Sequence, residues 1–240
     1  MNTVKFEHPN KPLMVAHRGV SGLEQENTHA AFVAAGNRSY FGIETDLHKT
    51  VDGGYVTIHD DSTGRVAIDD LVVENSTYET LRKLILKQKN GVKGRNDIRI
   101  PNLEEYIGIC KHYDKVAVLE LKNAFPREDV KEIISAIEKL DYLDQVVFIS
   151  FDFDNLVYVK EFVPDQTVQF LCGELDDAGI ARLKAHKMDL DIYYRAVTPE
   201  LVRKCHEDGI KVNCWTVDTL EEAARVTDCG VDYITSNILE

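Results

Sequence analysis

Short apolar runs alternate with amphipathic and polar stretches along the chain, and their lengths define the expected elements. Leu13–Ala16 is apolar and stops at His17, Arg18 and Gly19, as a buried strand followed by a loop does. Asn27 or Thr28 then offers an N-cap, residues 30–35 are small and apolar, and Gly36 with Asn37 supplies a left-handed ending, so a helix is predicted. Residues 41–47 and 55–58 read as two further strands. The link between them, residues 49–54, carries turn chemistry and is too short for a parallel crossover. A hairpin is therefore expected, with His59 across from Thr45 or Glu44.

Residues 61–102 loosen the pattern. They are mainly polar, with one helix expected at 78–87 and a basic, glycine-containing segment at 87–99. So long an excursion inside a compact domain points to a lid or cap. Residues 101–111 then read as a helix that Asn102 caps ahead of Glu104 and Glu105.

Beyond this point the rhythm is regular. Strand-like runs at Val116–Leu121, 146–151, Val168–Cys172, 190–194, 211–217 and 233–235 alternate with helical patterns at 127–140, 154–162, 177–184, Pro199–Glu207 and 220–226. Alternation of this kind makes a parallel sheet with crossover helices. With the hairpin partner counted, an α/β fold of the (β/α)8 TIM-barrel type carrying one extra stave fits better than an open sheet. The 240 residues, 44% of them hydrophobic, suffice for one barrel domain over residues 1–240, with 61–102 as a small insertion capping the C-terminal mouth after the third strand.

Charge and cysteine usage narrow the function classes. A formal charge of −13 disfavours broad binding to nucleic acid or to an anionic membrane surface, so an anionic substrate needs local cations or a metal ion. The five cysteines are scattered, without CxxC pairs, and read as reduced thiols of a cytoplasmic protein. Residues 1–12 hold no apolar signal core, and no run is long enough to span a bilayer, so membrane insertion is not expected. Glycine-rich phosphate loops are absent. The oligomeric state is not legible, and a homodimer is compatible with the sequence.

Candidate chemistry gathers where apolar runs end. Glu44 and Asp46 are two residues apart on a strand and share a face, and Glu120 and Lys122 repeat that spacing. Carboxylates so placed repel unless a cation or proton lies between them, and this oxygen-rich set suits Mg²⁺ or Ca²⁺ better than zinc. Arg18 and Lys122 add positive charge for a phosphate, and His17 and His59 can exchange protons near neutral pH. These parts point to metal-assisted phosphoryl transfer.

His17-Arg18-Gly19, Glu26-Asn27-Thr28, Ile43-Glu44-Thr45-Asp46, Asp52-Gly53, His59-Asp60, Leu119-Glu120-Leu121-Lys122, Ser150-Phe151 and Trp215-Thr216-Val217 together resemble the glycerophosphodiester phosphodiesterase family, in order and over almost the whole chain. The resemblance implies a TIM barrel that uses one divalent metal ion to hydrolyse small glycerophosphodiesters to sn-glycerol 3-phosphate and an alcohol. It implies Glu44, Asp46 and Glu120 as metal ligands, His17 and His59 as the acid/base pair, and Arg18 and Lys122 as phosphate contacts. Glu26 and Asn27 would shape the site, and Trp215 would wall the glycerol pocket. Where the family commonly has a Thr-Asp pair and a nearby proline after the last strand, this chain has Thr235-Ser236-Asn237, so that aspartate's contribution is absent.

Blander readings compete residue by residue. A lone strand-end histidine is usually structural, a lone tryptophan is usually core, and Ser150 is ordinary strand-end polarity. His48 shares the parity of Asp46 without an assigned role. Among functions, the rivals are a lysophospholipase D or sphingomyelinase D type lipid phosphodiesterase and a catalytically silent glycerophosphodiester-binding module. A broad apolar cap would favour the lipid enzymes, and retention of both histidines and all three carboxylates argues against the silent binder.

Overall fold

Apart from the run at residues 55–58, the strand-forming apolar runs find their partners through parallel pairing, and that pairing returns to its starting strand. In the computed structural model, which describes residues 2–89, 91–92 and 97–240, β1 (Leu13–Ala16) leads through α1 (His29–Gly36) to β2 (Gly42–Lys49), which turns back into β3 (Tyr55–Thr57). Helices α2 (Tyr78–Lys83) and α3 (Leu103–His112) follow. Then strands and helices alternate: β4 (Val116–Leu121), α4 (Arg127–Glu138), β5 (Val146–Ser150), α5 (Phe153–Phe162), β6 (Val168–Cys172), α6 (Asp177–His186), β7 (Asp189–Tyr193), α7 (Pro199–Glu207), β8 (Val212–Trp215), α8 (Leu220–Asp228) and β9 (Tyr233–Ser236). The parallel strands run in the order β1-β9-β8-β7-β6-β5-β4-β2, and β2 pairs back onto β1. This is a closed (β/α)8 TIM barrel. The extra stave, β3, lies antiparallel to β2 with Leu47 opposite Thr57 and His48 opposite Val56. Continued by the Ile58 N–H bond to the Asp46 carbonyl (3.0 Å), that register sets His59 opposite Thr45.

Period-two alternation sorts the side chains. On β4, Ala117, Leu119 and Leu121 join the core between strands and helices, while Val118 packs inside the barrel with Val15, Ile149 and Leu171. The helices answer with stripes such as Val130, Ile133, Ile134 and Ile137 on α4, each such residue contributing about 1.5–3 kcal/mol when fully buried. Their starts are chemically marked. Asn102 and Glu105 form a capping box on α3, Thr198 caps α7 ahead of Pro199, and Thr219 caps α8.

Most element ends shift by a residue or two from the sequence expectation, and three differences have a visible cause. β2 runs on to Lys49 because β3 pairs with its end. Helix α2 stops at Lys83, since Leu84 turns extended (φ −61°, ψ 137°) and carries Leu86 into a bridge with Ala67. Asn37 ends α1 at φ −78°, outside the left-handed region, whereas Asn27 sits inside it at φ 50°.

The excursion after β3 has its own apolar cluster, in which Val66, Val73, Leu81, Leu84, Leu86, Ile98 and Ile100 pack on Val56 and Ile58 of the hairpin. Within the basic 87–99 stretch, positions 90 and 93–96 lie outside the described residues. Lys87 reaches the Gly64 carbonyl and Lys89 the Ser21 carbonyl, which ties this segment to the loop after β1. Among the described residues no helix is long and apolar enough to cross a membrane.

Candidate active site

Glu44 and Asp46 on β2 and Glu120 on β4 meet at the C-terminal end of the barrel, because Asp46 is the register partner of Glu120. One oxygen from each lies within 4.8 Å of the others, and all three side chains are buried. Glu44 Oε2 accepts the backbone N–H of Arg18 (2.7 Å), and Asp46 Oδ2 accepts Asn27 Nδ2 (2.7 Å). Asn27 also takes the Thr45 hydroxyl on its own oxygen (2.7 Å), so its left-handed backbone aims one amide at both faces of β2. Asp46 Oδ1 and Glu120 Oε1 are buried without a well-aligned hydrogen bond and have the Lys122 ammonium near them, at 3.7 and 3.1 Å. Burying such atoms without aligned hydrogen bonds is costly, and a hard cation that takes oxygen ligands removes the cost.

The cations stand around this trio. Arg18 Nη1 pairs with Glu26 Oε1 (2.9 Å) and its Nε lies 3.5 Å from Asp46 Oδ2, while Lys122 Nζ lies 3.1 Å from Glu120 and 3.7 Å from Asp46. Arg18 and Gly19 both have positive φ, and the turn is tight, since a Cβ on Gly19 would fall 2.6 Å from the Ala31 backbone. The histidines flank the cluster. His17 Nδ1 is 2.7 Å from Asn237 Oδ1, and its Nε2 faces Glu44 at 4.0 Å. His59 Nδ1 is 2.6 Å from Asp60 Oδ1. His48 does not join them; it sits between Glu74 (3.3 Å) and the His59 carbonyl (3.4 Å).

Burial and charge set the protonation of these groups. Burial raises Asp46, but Arg18, His59 and Lys122, with the Asn27 amide, outweigh it and hold the carboxyl at about 2. Burial and then Asp46 push Glu120 up to about 8, against the pull of Lys122. Glu44 is raised well above the usual carboxylate range by burial, Asp46 and Glu120. Burial and mutual repulsion thus oppose charge on the two glutamates, whereas the cations beside Asp46 favour its charged form. Burial and then Arg18 lower His17 to about 4. Burial and Arg18 also lower His59, opposed by Asp46 and Asp60.

An apolar wall completes the cavity. His17, Arg18, Glu44, His59 and Glu120 line it with Ile149, Phe151, Leu171, Asp191 and Trp215. Trp215 packs edge-on against Phe151 (ring centroids 5.6 Å apart) and donates its indole N–H to the Asp191 carbonyl (3.3 Å). Ser150 stays outside, bonding the Leu121 carbonyl.

Several neighbours were not legible beforehand. Arg65, from the excursion, bonds both Glu26 (2.6 Å) and Asp60 (2.6 Å), so Arg18, Glu26, Arg65, Asp60 and His59 form one chain of contacts. Nothing in an irregular loop marks such an arginine. Asp191 shares the inward parity of Asn213 across β7 and β8, a weak signal. Asn237 follows the last strand, where the positional rule that singled out His17 also applies.

A parallel barrel whose C-terminal mouth joins a buried oxygen cluster to an arginine, a lysine and two histidines belongs to the class of barrel enzymes that act on phosphate esters. The sequence matches the model of the glycerophosphoryl diester phosphodiesterase family over residues 17–239. A glycerophosphodiester phosphodiesterase of Caldanaerobacter subterraneus subsp. tengcongensis is 34% identical over 229 residues, covering 93% of each chain. One from Bacillus subtilis is 27% identical, over 95% of this chain and 84% of its own. Among solved structures, an Oleispira antarctica phosphodiesterase in complex with its product sn-glycerol 3-phosphate superimposes with a TM-score of 0.83 at 26% identity, covering 95% of this chain and 93% of its own. A glycerophosphodiester phosphodiesterase of Parabacteroides distasonis gives 0.78 at 25% identity, over 99% and 94%. The chain belongs to the glycerophosphoryl diester phosphodiesterase family, hydrolases of phosphoric diester bonds.

Proposed function

We propose that this chain hydrolyses glycerophosphodiesters to sn-glycerol 3-phosphate and an alcohol with one divalent ion, Mg²⁺ or Ca²⁺, held by Glu44, Asp46 and Glu120. The observation that carries this reading is the cavity where Glu44 and Glu120 of the buried carboxylate trio meet Arg18 and both histidines, with Asp46 and Lys122 directly beside those glutamates. The buried oxygens of Asp46 and Glu120, which Lys122 approaches, fit a hard cation, which would supply Lewis-acid charge beside the phosphoryl oxygens. The product bound in the Oleispira relative supports a glycerol phosphate in the corresponding mouth.

His17 acts as the base and His59 as the acid. Asn237, a neutral amide, backs His17, whereas the Asp60 carboxylate backs His59 and favours its protonated form, which the phosphate of a bound diester favours further. His17 Nε2 takes the proton of the glycerol 2-hydroxyl as that oxygen bonds to phosphorus. The bond to the alcohol oxygen breaks as His59 delivers its proton there. Water then opens the cyclic phosphate, losing its proton to His59 while His17 returns one to the 2-oxygen. Arg18 and Lys122 hold the phosphoryl oxygens, Glu26 and Asn27 fix Arg18 and Asp46, and Trp215 walls the glycerol side.

The excursion over residues 61–102 caps the mouth as an insertion within a single domain, supported by its separate apolar cluster and by Arg65 reaching into the site. Five free cysteines support a cytoplasmic setting. The test is release of glycerol 3-phosphate from a panel of glycerophosphodiesters, with lysophosphatidylcholine and sphingomyelin included, each with and without EDTA. Release from the small diesters that EDTA abolishes is expected. Binding without release from any substrate would overturn the proposal in favour of a silent binder, and release confined to the lipids would favour the lipid enzymes.

A further inference from the structure

Resting on the assignment of His17 as base, we propose that Asn237 and Asp218 form a positioning pair that locks His17 in its Nδ1–H tautomer and presents the Nε2 lone pair to the substrate hydroxyl. The amide orientation is dictated by its neighbours. Asn237 Nδ2 donates to Asp218 Oδ2 (2.6 Å), and the Asn237 backbone N–H donates to Asp218 Oδ1 (2.8 Å). A flipped amide would set an oxygen 2.6 Å from a carboxylate oxygen, acceptor against acceptor. Oδ1 therefore faces the other way, where it accepts the Ser21 hydroxyl (2.5 Å) and lies 2.7 Å from His17 Nδ1. An amide oxygen only accepts, so Nδ1 carries the hydrogen and, in the neutral ring, Nε2 is the bare nitrogen.

The pair is firmly seated. The Asn237 carbonyl accepts Gly22 N–H (2.7 Å), and a Cβ on Gly22 would fall 2.5 Å from that oxygen. Ser236 donates its hydroxyl to Asp218 (3.1 Å), and its carbonyl accepts the backbone N–H of His17 (2.9 Å). Backbone and side chain thus tie β9 to the end of β1 at the base's own residue. At Nδ1, His59 meets a carboxylate directly, whereas His17 reaches one only through a neutral amide. The difference suits a ring that must be oriented and yet give its proton back.

The test uses the full-length, metal-loaded protein and reads two quantities, steady-state kinetics and the ¹⁵N shifts of the His17 ring. Asn237→Leu should lower kcat about ten- to a hundred-fold, the usual effect of losing an orienting partner, with KM changed less than about twofold. Its ¹⁵N pattern should move from pure Nδ1–H to a mixture of tautomers. Asn237→Asp alone sets two carboxylates face to face and should lose activity, whereas Asn237→Asp combined with Asp218→Asn restores one acceptor for Nδ1 and should recover most of it. Asp218→Asn, at the exposed end of the relay, serves if Asn237→Leu does not fold, and it should also mix the tautomers. Pure Nδ1–H in Asn237→Leu or Asp218→Asn, or a double swap no better than Asn237→Asp, would overturn the proposal. Loss of the proposed hydrolytic function would show as inactivity of the unaltered protein, which leaves the ¹⁵N result free to decide the tautomer.

Discussion

Loading the carboxylate trio with a divalent ion should release protons, and the number follows from the site. Burial and Asp46 raise Glu120 from 4.5 to about 8, so at pH 7 this carboxyl favours its protonated form in the metal-free protein. At about 1.36 kcal/mol per unit, the shift is on the order of 5 kcal/mol against its charged form. Glu44 is raised as well. A carboxyl whose folded pKa lies above its unfolded value binds more protons folded than unfolded, so the contribution of Glu120 to the stability of the metal-free protein is lost as pH rises from about 4.5 to about 8. A bound ion reverses this by replacing the protons. Titration calorimetry at pH 7 in buffers of different ionisation enthalpy should count at least about one proton released per ion, falling as pH approaches about 9. Glu120→Gln should lower the count by about one and weaken binding. Tight binding with no proton release at pH 7, or a count independent of pH, would refute the reasoning.

The other expectations are briefer. Ala at His17 or at His59 should lower kcat by roughly 10²–10⁴ with little change in substrate binding, measured by single-turnover hydrolysis; near-native turnover in both would remove the acid/base assignment. His17 is lowered from 6.5 to about 4, so at this site the unfolded chain binds more protons in that window, and the His17 contribution to stability should fall as pH drops through it, opposite in sign to that of Glu120. In His17→Gln, urea titrations in EDTA should show a slope against pH lower by about one proton, and an unchanged slope would contradict the burial argument. Leu81, fully buried in the cluster beneath the excursion, should cost about 2–5 kcal/mol as Ala, seen as faster hydrogen exchange at 59–102 before the barrel strands. Trp215→Ala should raise KM for glycerophosphodiesters while metal affinity, read by calorimetry, stays put.

Much of the frame is written locally. Val116–Leu121 and Val168–Cys172 could be bounded without a structure because buried parallel strands are continuous apolar runs that end abruptly. The hairpin was legible because residues 49–54 leave no room for a crossover, and the shared face of Glu44 and Asp46 follows from the strand period alone. The excursion was harder. Its apolar positions have no fixed period, so its cluster and the early end of α2 appear only when Leu84 and Leu86 turn inward.

The sequence by itself therefore determined the alternating strands and helices of the barrel and the shared strand face of Glu44 and Asp46, because periodicity and run length are properties of neighbouring residues. Tertiary structure decided what stands behind the site residues. Asn237 reaches His17 across 220 positions, and Arg65 links Glu26 to Asp60 across 39 and 5. Such contacts depend on barrel closure and on where a loop comes to rest, which no local pattern encodes. The same closure buries three carboxylates together and makes their charges depend on one another, so which acid keeps its charge is a property of the folded site, absent from any single residue.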